Sequence, residues 1–389
     1  MVQIEAFEIA VPDGVLEDLR DRLRRTRWPE AETVDDWSQG IPLAYLREVC
    51  DYWANGYDWR ARERELNRIE QFIARFGGMD VHFIHARSPE AEAVPLVITH
   101  GWPGSVVEFQ KVIGPLSDPV AHGGSASDAF HVVCPSLPGF GFSGKPARTG
   151  WGVDRIADCW AELMAGLGYD RYGAQGGDWG SGVSIAIGTR HPGRCLGIHL
   201  NMVMRTHMAI PDLRSPDPTW TAEEQQAAAA LKYFVEWGTA YNRQHSTRPQ
   251  TLGYGLTDSP VGQAAWILEK FREWTDCDGH PENALSRDEL LDNVMLYWLG
   301  ASATSSARLY WETFRPIAGG AAPKPATVTV PTGVAKFPSE IVPPVRSWCE
   351  PYFSDLRHWT VMPRGGHFAA FEQPELFVDD VRAFFGPLR

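Results

Sequence analysis

No window of this sequence approaches the roughly 18 uninterrupted apolar residues that a membrane-spanning helix requires. The amino terminus, Met1-Val2-Gln3-Ile4-Glu5, has no basic stretch followed by an apolar core, so neither a leader nor a membrane anchor is expected. Positive charge is in short supply. The 36 lysines and arginines stand against 49 aspartates and glutamates, and the formal net charge of -13 argues against a nucleic-acid partner or an anionic membrane surface. The six cysteines, Cys50, Cys134, Cys159, Cys195, Cys277 and Cys349, are scattered without a C-x-x-C pair, which excludes a disulfide framework and suggests reduced thiols in a cytoplasm. No G-x-G-x-x-G or phosphate-loop motif points to a nucleotide, and no internal repeat or low-complexity tract organises the chain. The histidines form no convincing ligand cluster with carboxylates or thiolates; His82 and His85 read as a pair on a surface strand. Neither a cofactor nor a metal is expected.

What is plentiful is apolar and aromatic mass. Hydrophobic residues at 44% and 16 tryptophans can furnish a large core and an aromatic-lined pocket. Residues 1–76 read as a charged helical segment, with a helix from Pro12-Asp13 through Arg24 and another over Arg60 to Phe76, and with Trp28, Trp37, Trp53 and Trp59 anchoring it to a larger body. Over residues 77–204 short apolar runs (Val81 to His85, Val94 to Thr99, Phe130 to Cys134) alternate with helices such as Val153 to Leu167, as a mainly parallel sheet with crossover helices requires. Helical segments then take over across residues 205–315, at Ala222 to Tyr241, Val261 to Trp274, Asp288 to Trp298 and Ala303 to Phe314. This is an inserted cap. The Gly/Ala/Pro-rich loop Ala318 to Ala326 returns the chain to the sheet over residues 316–389, where Val328-Thr329-Val330 and Trp359-Thr360-Val361-Met362 supply two more strands. The ligand site belongs at the carboxyl ends of the strands.

Gly176-Gly177-Asp178-Trp179-Gly180 follows the short strand Tyr172 to Gln175 and precedes a helix over Ser181 to Arg190. Small residues suit a tight strand-turn-helix elbow, whose apex here is an aspartate where a serine is common. A carboxylate is already ionised near neutrality and attacks saturated carbon to give an alkyl ester, so the expected electrophile is an epoxide or an alkyl halide. After Val97-Ile98-Thr99, the loop His100-Gly101-Trp102-Pro103-Gly104-Ser105 can face the elbow. The backbone amides of Trp102 and Trp179 are the candidate oxyanion donors.

Hydrolysing the ester requires an activated water. His367, in Arg364-Gly365-Gly366-His367-Phe368 after the last apolar strand, is the candidate base, because imidazole titrates near neutrality. Glu340, in Phe337-Pro338-Ser339-Glu340 after the preceding strand, is the favoured orienting carboxylate; Asp355, just before the last strand, is the rival. The order Asp, Glu, His along the chain is that of an α/β-hydrolase sheet.

With these blocks in place the sequence resembles the α/β-hydrolase-fold epoxide hydrolases, in the branch of the microsomal and juvenile-hormone enzymes. Arg27-Trp28-Pro29, the His100 to Ser105 loop, Pro138-Gly139-Phe140-Gly141-Phe142-Ser143, the Asp178 elbow, Asp258-Ser259-Pro260-Val261-Gly262 and Gly365 to Glu372 carry the likeness in the family's order. The resemblance implies a cofactor-independent hydrolase converting an epoxide to a vicinal diol. It also implies two cap tyrosines that assist the leaving oxygen, placed by flanking sequence at Tyr310 and Tyr241, with Tyr233 and Tyr254 as alternatives to the second. The membrane anchor of some relatives is not expected here. Haloalkane dehalogenation is the alternative chemistry, since it uses the same aspartate, histidine and acid. The aromatic richness suggests a bulky apolar or aryl epoxide, and with it detoxification or aromatic-hydrocarbon catabolism; a homo-oligomer is compatible with the sequence.

Overall fold

A computed structural model describes residues 2–215, 217–318 and 325–389. Nine strands form one sheet: β1 (Gln3–Phe7), β2 (Gln71–Phe76), β3 (Met79–Ala86), β4 (Val94–Thr99), β5 (Phe130–Pro135), β6 (Tyr172–Gly176), β7 (Cys195–Leu200), β8 (Thr332–Lys336) and β9 (Leu356–Val361). Their spatial order is β1-β2-β3-β5-β4-β6-β7-β8-β9. Pairing is parallel from β5 through β9 and antiparallel among β1, β2, β3 and β5. The expected mainly parallel sheet is therefore present, with an antiparallel edge. Its central strands are buried on both faces, which explains their continuous apolar runs: Leu96, Val97 and Ile98 of β4 are fully buried.

Several expectations need correction. Arg60 to Phe76 is not one helix: a helix over Trp59–Leu66 is followed by β2, which returns into β3 through Gly77-Gly78. Both glycines have positive φ, as a two-residue hairpin turn demands, and that signal outweighs the helical spacing before it. The first segment thus contributes β1 and β2 to the sheet as well as helices. His82 and His85 are buried in β3 rather than on a surface strand; His82 contacts Ser136 Oγ at 2.9 Å and Gln71 Oε1 at 2.8 Å, and burial pushes its pKa down to about 3.

Residues Val328 to Val330 make only an isolated bridge from Val328 to Phe353; the strand begins after Pro331. It escapes detection because Gly333 interrupts its apolar run, at a point where an added Cβ would lie 2.7 Å from the Phe384 ring. The loop expected over Ala318 to Ala326 falls largely outside the described residues. The helix expected over Ala222 to Tyr241 breaks: a helix over Ala222–Tyr233 loosens into a π turn at Phe234–Gly238, and a new helix, Ala240–Thr247, starts beside Tyr241.

The helices Pro260–Trp274, Arg287–Leu299 and Ala303–Ala318 complete the insertion between β7 and β8. The amino-terminal helices pack on it. Trp53 and Trp59 are buried, Tyr57 donates its hydroxyl hydrogen to Asp292 at 2.7 Å, and Arg62 forms an ion pair with the same fully buried carboxylate. The chain runs from β4 out to β5 and back across to β6, so the crevice between β4 and β6 is a point where successive connections diverge. Such a point is where ligands bind in open α/β sheets.

Candidate active site

Four loops meet at the carboxyl ends of the parallel strands. β6 ends at Gly176, Gly177 caps the next helix, and Asp178 begins that helix, Asp178–Arg190, with φ +45°, a left-handed conformation that is uncommon outside glycine and sharpens the turn. Its neighbours must be small: a Cβ on Gly180 would lie 1.8 Å from the Thr99 carbonyl oxygen, and one on Gly176 would lie 2.1 Å from that of Gly180. The aspartate faces the loop after β4. Trp102 N donates to Asp178 Oδ1 at 2.8 Å, and a Cβ on Gly101 would come within 2.2 Å of that oxygen.

That loop is braced from below and above. His100 donates from Nδ1 to the Gly101 carbonyl at 2.9 Å and accepts at Nε2 from Leu137 N at 3.1 Å, and burial keeps it neutral, with its pKa lowered to about 4. From the insertion, Asn293 Nδ2 donates to the Pro103 carbonyl at 2.7 Å, and Tyr297 donates its hydroxyl hydrogen to the Gly104 carbonyl at 2.8 Å. The loop carrying the Trp102 amide is therefore held in place by the protein itself.

His367 follows β9, with Nε2 3.7 Å from Asp178 Oδ2 and Nδ1 3.0 Å from Glu340 Oε1. Glu340 follows β8 and is buried; Ser339 N donates to the Gly365 carbonyl at 3.1 Å, tying the two loops together. Glu372 was not anticipated as part of this arrangement. Its carboxylate accepts from Gly366 N and Phe368 N at 3.0 Å each and from Asp276 N at 2.8 Å, so it clamps the histidine loop to the insertion. The rival Asp355 instead pairs with Arg357 and takes no part in the cluster.

Electrostatics follow from this crowding. Burial raises the Asp178 pKa above the ordinary aspartate value, opposed by the charge of His367 and by the Trp102 and Trp179 amides. Burial alone would lower His367, but Glu340, Asp178 and Glu108 outweigh it and lift the imidazole to about 9.

Above Asp178 the insertion contributes two phenols. Tyr241 and Tyr310 are both buried, with ring centroids 5.8 Å apart and planes nearly perpendicular. Tyr241 stacks on Trp102 at 4.9 Å, and Tyr310 meets the edge of Trp179 at 4.7 Å. Burial raises both phenols well above their ordinary pKa, and the charge of Asp178 adds to the rise, so both stay neutral donors. Among the described residues the Tyr310 hydroxyl and the Trp179 indole N–H make no hydrogen bond of good distance and angle, although they lie close enough to each other and to Tyr241 to influence the phenols. Tyr233 and Tyr254 are 62% and 71% exposed, which separates them from the site. A cavity of about 660 Å³ spreads from Asp178 and the two phenols past Met202, Met204, Phe234 and Phe314. Its lining is mainly apolar, and Arg205 and Arg243 add charge to it.

Two family models match the chain: one for the epoxide hydrolase N terminus over residues 4–109, and one for the alpha/beta hydrolase fold over residues 94–252. A protein of Stigmatella aurantiaca, named as a candidate epoxide hydrolase, is 51% identical over 99% of this chain and 86% of its own length. Epoxide hydrolase 1 of Sus scrofa is 36% identical over 99% of this chain and 89% of its own. The crystal structure of juvenile hormone epoxide hydrolase from the silkworm Bombyx mori superposes with a TM-score of 0.89 at 31% identity, covering 100% of this chain and 95% of that one.

Proposed function

The chain belongs to the α/β-hydrolase-fold epoxide hydrolases, and from that premise we propose the part that each residue of the cluster takes in the reaction. Epoxide hydrolysis in this family proceeds through an ester on an aspartate, and Asp178 is the nucleophile we assign. Its carboxylate attacks an epoxide carbon; the C–O bond breaks as Tyr241 and Tyr310 hydrogen-bond and protonate the departing oxygen. The product is a hydroxyalkyl ester. His367, oriented by Glu340, then takes a proton from water as that water adds to the ester carbon, and the Trp102 and Trp179 amides hold the oxyanion. Collapse passes the His367 proton to the departing diol oxygen, and the second water proton, left on the Asp178 carboxyl, returns to the phenolate that protonated the alkoxide, restoring Asp178 and both tyrosines. Epoxide plus water gives a vicinal diol with no net proton change.

The observation that carries this reading is that Asp178 stands between an imidazole paired to a carboxylate and two buried phenols. Charge logic supports the order of steps: alkylation removes the Asp178 charge, one of those that lift His367, and so moves the imidazole toward the neutral form it needs as a base. Trp179 with its unpartnered indole would suit a halide as well as an alkoxide, but a departing halide needs no proton and would leave two neutral phenols without a task.

We further read residues 77–204 with 316–389 as the hydrolase core, 205–315 as its cap and 1–76 as the segment that straps the two. The preference for a bulky apolar or aryl epoxide rests on the apolar lining of the cavity. Detoxification or aromatic-hydrocarbon catabolism would use such a substrate. No described helix is long and apolar enough to cross a membrane, and all six cysteines are free and buried, which suits a reducing, cytoplasmic compartment.

The test is the intact mass of a His367→Gln variant mixed with panels of epoxides and haloalkanes. The expected gain equals the whole epoxide and disappears when Asp178→Ala is added. A gain equal to a haloalkane minus its hydrogen halide would move the assignment to dehalogenation.

A further inference from the structure

Asp178 borders a second cavity, of about 20 Å³, whose lining includes His367, Glu108, Asn201, Phe109 and Phe368. His367 and Glu108 line this small cavity and not the large one, while Tyr241 and Tyr310 line only the large one. The nucleophile is thus the wall between a chamber sized for an organic substrate and a chamber sized for one water molecule, which needs roughly 10–15 Å³.

Glu108 has no task in the steps above, yet its position is built with care. It lies in the short turn Val106–Phe109, is 9% exposed, and its own amide donates to the Ser105 carbonyl at 3.1 Å. Its Oε1 would lie 1.5 Å from a Cβ on Gly104, so the carboxyl occupies space that exists only because residue 104 is glycine. Burial pushes its pKa up to about 8, with His367 acting against the rise and Asp178 adding to it. Protonated or ionised, such a group keeps a carboxyl oxygen that accepts a hydrogen bond as an amide oxygen does.

A water attacking the ester must give one hydrogen to His367 Nε2. Unless its other hydrogen is also held, the water can rotate its lone pair away from the carbon. We propose that Glu108 is a further catalytic residue of the hydrolytic step: its carboxyl accepts the second hydrogen of the water in the small cavity and aims that water at the Asp178 ester carbon. The water oxygen bonds to that carbon while one proton passes to His367 Nε2; the ester C–O bond then breaks, and the proton goes to the departing diol oxygen. The hydrogen held by Glu108 stays on the attacking oxygen through collapse and then leaves the Asp178 carboxyl for the phenolate formed in the first step, which restores the resting charges.

The proposal rests on the Asp178 ester assigned above, and its test separates the two. Rapid-mixing kinetics would follow ester formation and ester hydrolysis individually in Glu108→Met and Glu108→Gln, with His367→Gln as a trapping control. The expected result is that Glu108→Met slows hydrolysis tenfold or more, a ratio worth about 1.4 kcal/mol, leaves ester formation within a few-fold of the parent, and accumulates ester during turnover. Glu108→Gln, which keeps an acceptor of the same shape, should hydrolyse within a few-fold of the parent. Parent-like hydrolysis in Glu108→Met, equal slowing of both steps, or equal loss in the Met and Gln variants would each overturn the proposal. If the trapping control forms no ester, the Asp178 assignment itself fails, and that outcome is read from a different protein.

Discussion

The two walls that enclose Asp178 are built differently. On the core side, Asp178, His367 and Glu340 stand at the ends of parallel strands, each tied by hydrogen bonds to another member of the cluster or to a backbone amide. On the side of the insertion between β7 and β8, Tyr241 and Tyr310 are held by aromatic packing, and the Tyr310 hydroxyl makes no hydrogen bond of good geometry among the described residues. The difference matches the chemistry assigned to each wall. A nucleophile and base act on one fixed carboxyl carbon and need rigid geometry, whereas donors for a leaving oxygen must keep their hydrogen bonds uncommitted until the alkoxide forms.

Mutations can break this comparison in order of severity. Asp178→Ala should abolish turnover, by about 10⁴-fold or more on the scale of lost covalent nucleophiles, with no adduct in any background. Replacing both phenols in Tyr241→Phe/Tyr310→Phe should slow ester formation by roughly 10³-fold, and either single change by about 10–100-fold, since one general acid is commonly worth 10²–10⁴ and its twin partly compensates. Ester hydrolysis measured on preformed adduct should change little in these variants. Tyr233→Phe and Tyr254→Phe should match the parent in both steps. Glu340→Gln should leave ester formation nearly intact and slow hydrolysis by about 10–100-fold, because the imidazole keeps its place but loses the charge that supports its imidazolium.

A pH series sharpens the same contrast with a smaller effect. Ester formation needs ionised Asp178, whose pKa is raised by burial, so its rate should fall on acidification at a pH above the ordinary aspartate range. Hydrolysis needs neutral His367. In the free enzyme that group lies at about 9, and it falls once the ester removes the Asp178 charge. The steady-state ester fraction, read by quench and mass measurement, should therefore rise as pH drops toward neutrality from the alkaline side.

The same two walls differ in how far the sequence reveals them. Asp178 and His367 each sit in a Gly-marked loop after a recognisable strand, so strand-end logic finds them, while Glu340 follows the hidden β8 and is found by the Pro338 turn and by its place between them in chain order. The tyrosines carry no such punctuation. Tyr241 is set apart from Tyr233 by the break at Phe234–Gly238, a loosened helical turn that no local residue pattern announces, and from Tyr254 by a second helix break at Arg248. Glu108 is harder still, because a glutamate in Val106-Val107-Glu108-Phe109 reads as the polar face of a turn and its burial depends on Gly104. In the fold, strands with continuous apolar runs such as β4 were evident, while β7 and β8 were hidden by Gly197 and Gly333, each of which makes room for Phe384. The β2–β3 hairpin is written in Gly77-Gly78, whose turn chemistry outranks the helical spacing before it.

The most direct test of the account is a single turnover in heavy-oxygen water with enzyme in excess over epoxide. The account predicts that the first diol released carries no heavy oxygen and that the label appears in the peptide containing Asp178, because the diol takes its new oxygen from the aspartate and the aspartate takes its own from water. Label in the diol of that first turnover, with an unlabelled Asp178 peptide, would mean that water attacks the epoxide directly and would contradict the covalent mechanism.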